Sequence, residues 1–117
     1  MSAFGEYLRK SRECRRTSDP SFSVRQLAAR VGVEPSYLSK VERGQQPPPS
    51  EQTIASLARE LDEDPDVLLA LAGKVSAELQ SIIRGRPKLF AELIRQLKDT
   101  PDQAVLRLVR EVRDGDW

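Results

Sequence analysis

The sequence predicts an all-α fold, with a bundle of five short helices over residues 1–73 followed by a C-terminal helical region over residues 74–117. Three observations carry that expectation. Helix start and stop signals recur along the whole chain, with Ser, Thr or Asp ahead of apolar residues spaced three and four apart. Aromatic residues are only 5% and charged residues 32%, a composition of helix formers. No strand signal, internal repeat or low-complexity tract interrupts the pattern. A length of 117 residues suits one domain, or a domain of about 70 residues with an appendage.

The first helix runs from Ala3 to about Cys14, with Phe4, Tyr7, Leu8 and Ser11 on one face. The polar stretch Arg15 to Ser21, with Asp19 and Pro20, reads as a loop, and Arg15 and Arg16 as solvated loop residues, with phosphate contacts as their alternative role. Ser23 and Gln26 form a capping box that opens the second helix, Phe22 staples onto Leu27, and Gly32 stops it after Val31. Pro35 opens the third helix, which carries Leu38 and Val41 inward and ends at Arg43 and Gly44. After three stiff prolines, Ser50 caps a fourth helix bearing Ile54, Leu57, Ala58 and Leu61. Asp64 and Pro65 start a fifth with Val67, Leu68 and Leu71, closed by Gly73.

Beyond Gly73, Ser76 caps a helix to Ile83, and Gly85 and Pro87 interrupt it. Phe90, Leu93, Ile94 and Leu97 then form a stripe, and a second capping box at Thr100 and Gln103 opens a last helix striped by Val105, Leu108, Val109 and Val112. Two such helices bury these stripes poorly alone, so the stripes are expected to form a homodimerisation surface.

Composition removes several chemistries. Histidine is absent and Cys14 is the single cysteine, so no catalytic residues, no metal site and no cofactor are expected. No phosphate loop or nucleophile elbow is present, and the chain is expected not to be an enzyme. No apolar run reaches the roughly 20 residues of a membrane span, and the N-terminus lacks a signal-peptide pattern, so no membrane partner and a cytoplasmic location are expected. The charge of +1 hides an asymmetry: residues 1–50 carry nine Lys/Arg against five Asp/Glu, and residues 51–117 ten against thirteen. A basic first half suggests a polyanionic partner.

The stretch Ser23 to Gly44 carries the functional signal. Two helices joined by the short turn Gly32, Val33 and Glu34, with small Ala28 where they cross, form a helix-turn-helix pattern. Leu38 and Val41 anchor the inner face and leave Ser36, Tyr37, Ser39, Lys40 and Arg43 outward, a set of hydroxyls and cations suited to a DNA major groove. Leu27, Ala28, Val31 and Gly32, followed by Tyr37, Leu38, Ser39, Lys40, Val41, Glu42, Arg43 and Gly44, resemble the helix-turn-helix of the phage repressor and Cro-like (XRE) regulators. The resemblance covers about residues 4–73 and implies a five-helix bundle that binds double-stranded operator DNA as a dimer, with residues 35–43 as recognition helix. Pro35 departs from it by offering no base-reading side chain.

Carried over by position, the resemblance implies base contacts from Ser36, Tyr37, Ser39 and Lys40. It implies phosphate contacts from Ser23, Val24 and Arg25 at a helix start, and from Arg43, Gln45 and the amides around Gly44 to Gln46. It further implies an internal salt bridge between Arg12 and Glu42. Tyr37 could instead pack on the first helix, and Lys40 and Arg43 could be a solvated face. A weaker resemblance around Leu68 to Leu97 is to regulators inactivated by an ImmA/IrrE-type metallopeptidase, which implies cleavage within residues 74–117. The antitoxin of a toxin–antitoxin module, its acidic half covering a toxin protein, is the alternative function.

Overall fold

Side-chain caps set most helix boundaries in the computed structural model, which describes residues 2–117. Ser2 accepts the Gly5 amide at 3.0 Å and starts α1, Ala3–Arg16. Arg15 and Arg16, expected in a loop, form the last turn of α1. Cations are favoured at a helix C-terminus, and Arg15 also lies 5.8 Å from the centre of the Phe22 ring. The break is therefore short, and a 3₁₀ turn at Pro20–Phe22, capped by Asp19, leads to α2, Val24–Val31. Then come α3, Pro35–Glu42, α4, Glu51–Leu61, and α5, Pro65–Leu71. Ser23, Ser50 and Asp64 cap α2, α4 and α5 through their side chains, each accepting an amide two or three residues on. The remaining helices are α6, Ala77–Gly85, α7, Pro87–Leu97, and α8, Asp102–Asp114; among the described residues there is no strand.

The chain divides into two compact units, one ending at Ser76 and one spanning Ala77–Trp117. In the first, all five helices contribute to one core: Phe4 and Leu8 of α1, Leu27 and Ala28 of α2, Leu38 and Val41 of α3, four residues of α4, and Leu68 and Leu69 of α5. Burying each large side chain stabilises by about 1.5–3 kcal/mol, which outweighs the weak propensities of such short helices. Gly5 shows how tightly this core closes. A Cβ there would lie 2.5 Å from the Val41 carbonyl oxygen and 2.7 Å from that of Glu42, so α1 crosses the end of α3 backbone to backbone.

The first unit runs three residues past the expected boundary at Gly73. The Lys74 ammonium donates to the carbonyl of buried Pro49 at 2.9 Å, and Ser76 is itself buried. This ties the end of the unit to the proline segment.

The second unit contains no buried residue among those described. Phe90, Leu97, Val105 and Leu108 are half-buried, whereas Leu93, Ile94, Val109 and Val112 are exposed, Ile94 and Val112 by more than half. Leu89 and Leu106 extend these apolar faces. The expected capping box at Thr100 does not form. Pro101 takes the N-cap position without a side-chain bond, and the Thr100 hydroxyl turns back to donate to the Gln96 carbonyl at 2.8 Å. α6 and α7 are separated only by Arg86, with Gly85 closing one helix and Pro87 opening the next. None of the helices is long and apolar enough to cross a membrane among the described residues.

Candidate nucleic-acid interface

α2 and α3 are held by a turn whose every hydrogen bond is local. Gly32 ends α2 at φ +77°, a left-handed conformation that a Cβ disfavours. Its amide and that of Val33 return to the carbonyls of Ala29 and Ala28 at 3.3 and 3.0 Å. Pro35 then supplies the fixed φ of a first helical residue, and Leu38 and Val41 seal the inner side of α3 into the core. The opposite side of α3 is left to water: Ser36, Lys40 and Arg43 are exposed and Ser39 is half-buried. Tyr37 is half-buried and its body packs against the core, so only part of its ring reaches the surface. Arg43, immediately after the helix, bends back so that its Nε donates to the Ser39 carbonyl at 3.3 Å.

Arg12 and Glu42 meet across α1 and α3. The guanidinium donates through Nε and Nη2 to the two carboxylate oxygens at 2.7 and 2.9 Å, with both side chains 4% exposed or less. Arg12 also donates to the Phe22 carbonyl at 3.1 Å and to Glu13 at 3.0 Å, so the buried cation is fully engaged. The hydrogen bond to Glu42 raises the Arg12 pKa above its ordinary value, against the opposing effect of burial. This pair fixes α3 against α1 and takes Glu42 out of any outward role.

At the start of α2, Ser23 accepts the Gln26 amide at 3.2 Å. The amides of Val24 and Arg25 belong to the first turn, where no intrahelical acceptor exists. The arrangement presents donors and the positive helix end beside the exposed Arg25 side chain. The loop after α3 differs from expectation. The Gly44 amide donates to Val41 at 3.1 Å and the Gln45 amide to Lys40 at 2.8 Å, closing the end of α3 and leaving neither for a phosphate. Gln45 can contribute there only through its exposed side chain.

The fold brings to this region three groups that the sequence alone does not place there. Gly5 sets the approach of α1 to α3; a glycine inside an otherwise good helix was its only signal. Arg9 and Arg16, one turn before and one turn after Arg12 along α1, flank the buried pair. Glu63, beyond α4, accepts from the Tyr7 and Ser11 hydroxyls at 3.0 and 2.9 Å and holds the far side of α1. This bond raises the Tyr7 pKa, chiefly by hydrogen bonding to the anion. Arg30 is not available to a ligand: it pairs with Glu60 at 2.9 Å, donates to the Ser21 carbonyl and lies 5.0 Å from the Phe22 ring centre.

Comparison with known proteins agrees with this geometry. Residues 3–71 match the family model described as a helix-turn-helix domain. The chain is 36% identical over 77 residues to the uncharacterized HTH-type transcriptional regulator RghRB of Bacillus subtilis, an alignment covering 66% of this chain and 52% of that protein. It is also 36% identical over 80 residues to the uncharacterized HTH-type transcriptional regulators MT0491 and Rv0474 of two Mycobacterium tuberculosis strains, covering 68% of this chain and 53% of each. The chain thus spans about half the length of the curated relatives it matches. No solved structure matches it significantly.

Proposed function

The chain belongs to the helix-turn-helix domain family, and from that premise we propose that it is a sequence-specific DNA-binding transcriptional regulator of the phage repressor and Cro-like type. It acts as a dimeric repressor on a pseudo-palindromic operator. The observation that carries this reading is the two-sidedness of α3, with Leu38 and Val41 sealed inward and Ser36, Lys40 and Arg43 exposed outward. Ser36, Ser39 and Lys40 read base edges, Lys40 as a donor to guanine O6 and N7, while the exposed edge of Tyr37 meets a thymine methyl or the backbone. The amides of Val24 and Arg25 under the Ser23 cap, Arg43, and the Gln45 side chain hold phosphates. One such unit makes too few contacts for useful specificity, so two must pair. The half-exposed stripes of α7 and α8, Phe90, Leu93, Ile94 and Leu97 with Val105, Leu108, Val109 and Val112, supply the dimer surface.

Selection of bound duplexes from a random pool tests the base-reading role. Lys40→Ala is expected to lose about 1–3 kcal/mol of discrimination at one base position. An equal loss on all sequences would assign Lys40 to phosphate instead. Sedimentation at micromolar concentration is expected to give a dimer, and a monomer there would remove the proposed role of α7 and α8.

A further inference from the structure

The recognition helix is flanked by an unusual distribution of cations. From Gly44 through Ala58, the whole segment leaving α3 and most of α4, there is no lysine or arginine. Positive charge gathers instead on the other side of α3, in a cleft between α1 and α3. Arg9 and Arg16 of α1, Ser39 of α3, Arg43 just after α3 and Val24 line it, together with the buried Arg12–Glu42 pair. Four arginines face two carboxylates there, Glu13 and Glu42, which leaves a net charge of +2.

The cations of the walls are lightly committed. Arg9 makes no hydrogen bond or ion pair among the described residues, Arg16 approaches Glu13 only to 3.9 Å, and Arg43 rests on its own helix. Both carboxylates are already engaged by Arg12. The floor of the cleft is therefore neutralised internally, while its rim keeps lightly engaged guanidinium groups, planar donors matched to phosphate oxygens.

We infer that this cleft is a phosphodiester clamp in which Arg9 and Arg16 of α1, with Arg43 at the end of α3, grip one backbone phosphate beside the recognition helix. The clamp does the anchoring for which the cation-free segment after α3 has no groups. DNA is the occupant because Ser39 and Arg43 belong both to the cleft and to the proposed DNA-reading face. The inference rests on the DNA-binding reading and adds to it Arg9 and Arg16, which that reading does not use, beside Arg43, which it does.

The test is the salt dependence of binding to a fluorescent mixed-sequence duplex, measured by anisotropy for the full chain. The double variant Arg9→Gln with Arg16→Gln is expected to lower the slope of log K against log salt by about 1 for each phosphate released from the clamp, without changing preference between sequences. Arg9→Lys with Arg16→Lys, which keeps the charge, is expected to retain most of the slope. Lys88→Gln with Arg95→Gln on α7, a charge-matched control, is expected to leave it unchanged. An unaltered slope in the Gln double variant, or an equal fall in the α7 control, overturns the clamp while leaving DNA binding intact. Displacement of the duplex at constant ionic strength by inorganic pyrophosphate, in wild type but not in the Gln variant, would reassign the cleft to a free phosphate ligand. A wild-type chain with no salt-dependent affinity would overturn the DNA-binding reading and the clamp together.

Discussion

Twelve apolar residues are buried in the unit ending at Ser76, and none is buried from Ala77 onward among the described residues. Yet the helices of both parts carry equally regular apolar stripes. The five helices of the first unit cross so that each stripe meets another, and the result is one continuous core. In the second unit, α6, α7 and α8 are too few to enclose one another, and Leu93, Ile94, Val109 and Val112 remain open to solvent. Chains near 40 residues rarely build a sufficient core alone. Helical periodicity thus identifies a face that gains from being covered, but it does not identify what covers it.

Several changes would break or sharpen this contrast. The largest effect is expected for Glu42→Ala, which strands the buried Arg12 guanidinium and should cost about 3–5 kcal/mol in denaturant titration. Leu57→Ala in the first core should cost about 2–5 kcal/mol, because the fully buried side chain leaves a cavity. Val112→Ala, 59% exposed, should change monomer stability by no more than about 0.5 kcal/mol while weakening self-association in sedimentation. Equal effects at positions 57 and 112 would erase the distinction between the two units. Gly5→Ala is expected to cost about 1–3 kcal/mol, since the new methyl meets two main-chain carbonyls rather than a movable side chain.

Smaller effects test the edges of the first unit. Asp62 ends α4 at φ 53° with a nearly fully exposed side chain, so Asp62→Gly should stabilise by roughly 0.5 kcal/mol in thermal melts. Hydrogen bonds from Ser21, first from its side chain and then from its backbone, hold the Asp19 pKa below the ordinary carboxylate value. A lowered folded-state pKa means that this contribution to stability is present above the ordinary value and is lost as pH falls through the lowered one. Asp19→Asn should therefore flatten the acid limb of the stability profile, lowering stability slightly near neutrality and leaving it unchanged below the lowered pKa.

Much of the fold is legible in the sequence because its signals are local. Ser23, Ser50, Asp64 and Pro35 sit where a cap or first-turn residue must, and Gly32 where a left-handed residue ends a helix. Thr100 misleads because a proline follows it, and Pro101 itself becomes the N-cap. Arg15 and Arg16 read as loop on the strength of Asp19 and Pro20, but they join α1, where one stacks on Phe22 and the other reaches the cleft. At the candidate site, the outward set Ser36, Lys40 and Arg43 follows from helical spacing alone. Gly5, Arg9 and Glu63 are illegible because their importance lies in elements far away in sequence. The commitment of the Gly44 and Gln45 amides to the end of α3 depends on a closing geometry that residue types only partly specify.

The backbone crossing at Gly5 bears on how α3 meets a ligand. Where two main chains touch, no side-chain rotamer lies between them to be reset, and the Arg12–Glu42 fork locks the same junction by a second, orthogonal constraint. α3 is therefore held in place before any ligand meets its outer face, and association there need not spend free energy on ordering it. The long side chains of Lys40 and Arg9 stand exposed on this fixed framework, so the rotamer freedom left for a ligand to restrict is theirs and not the helix's.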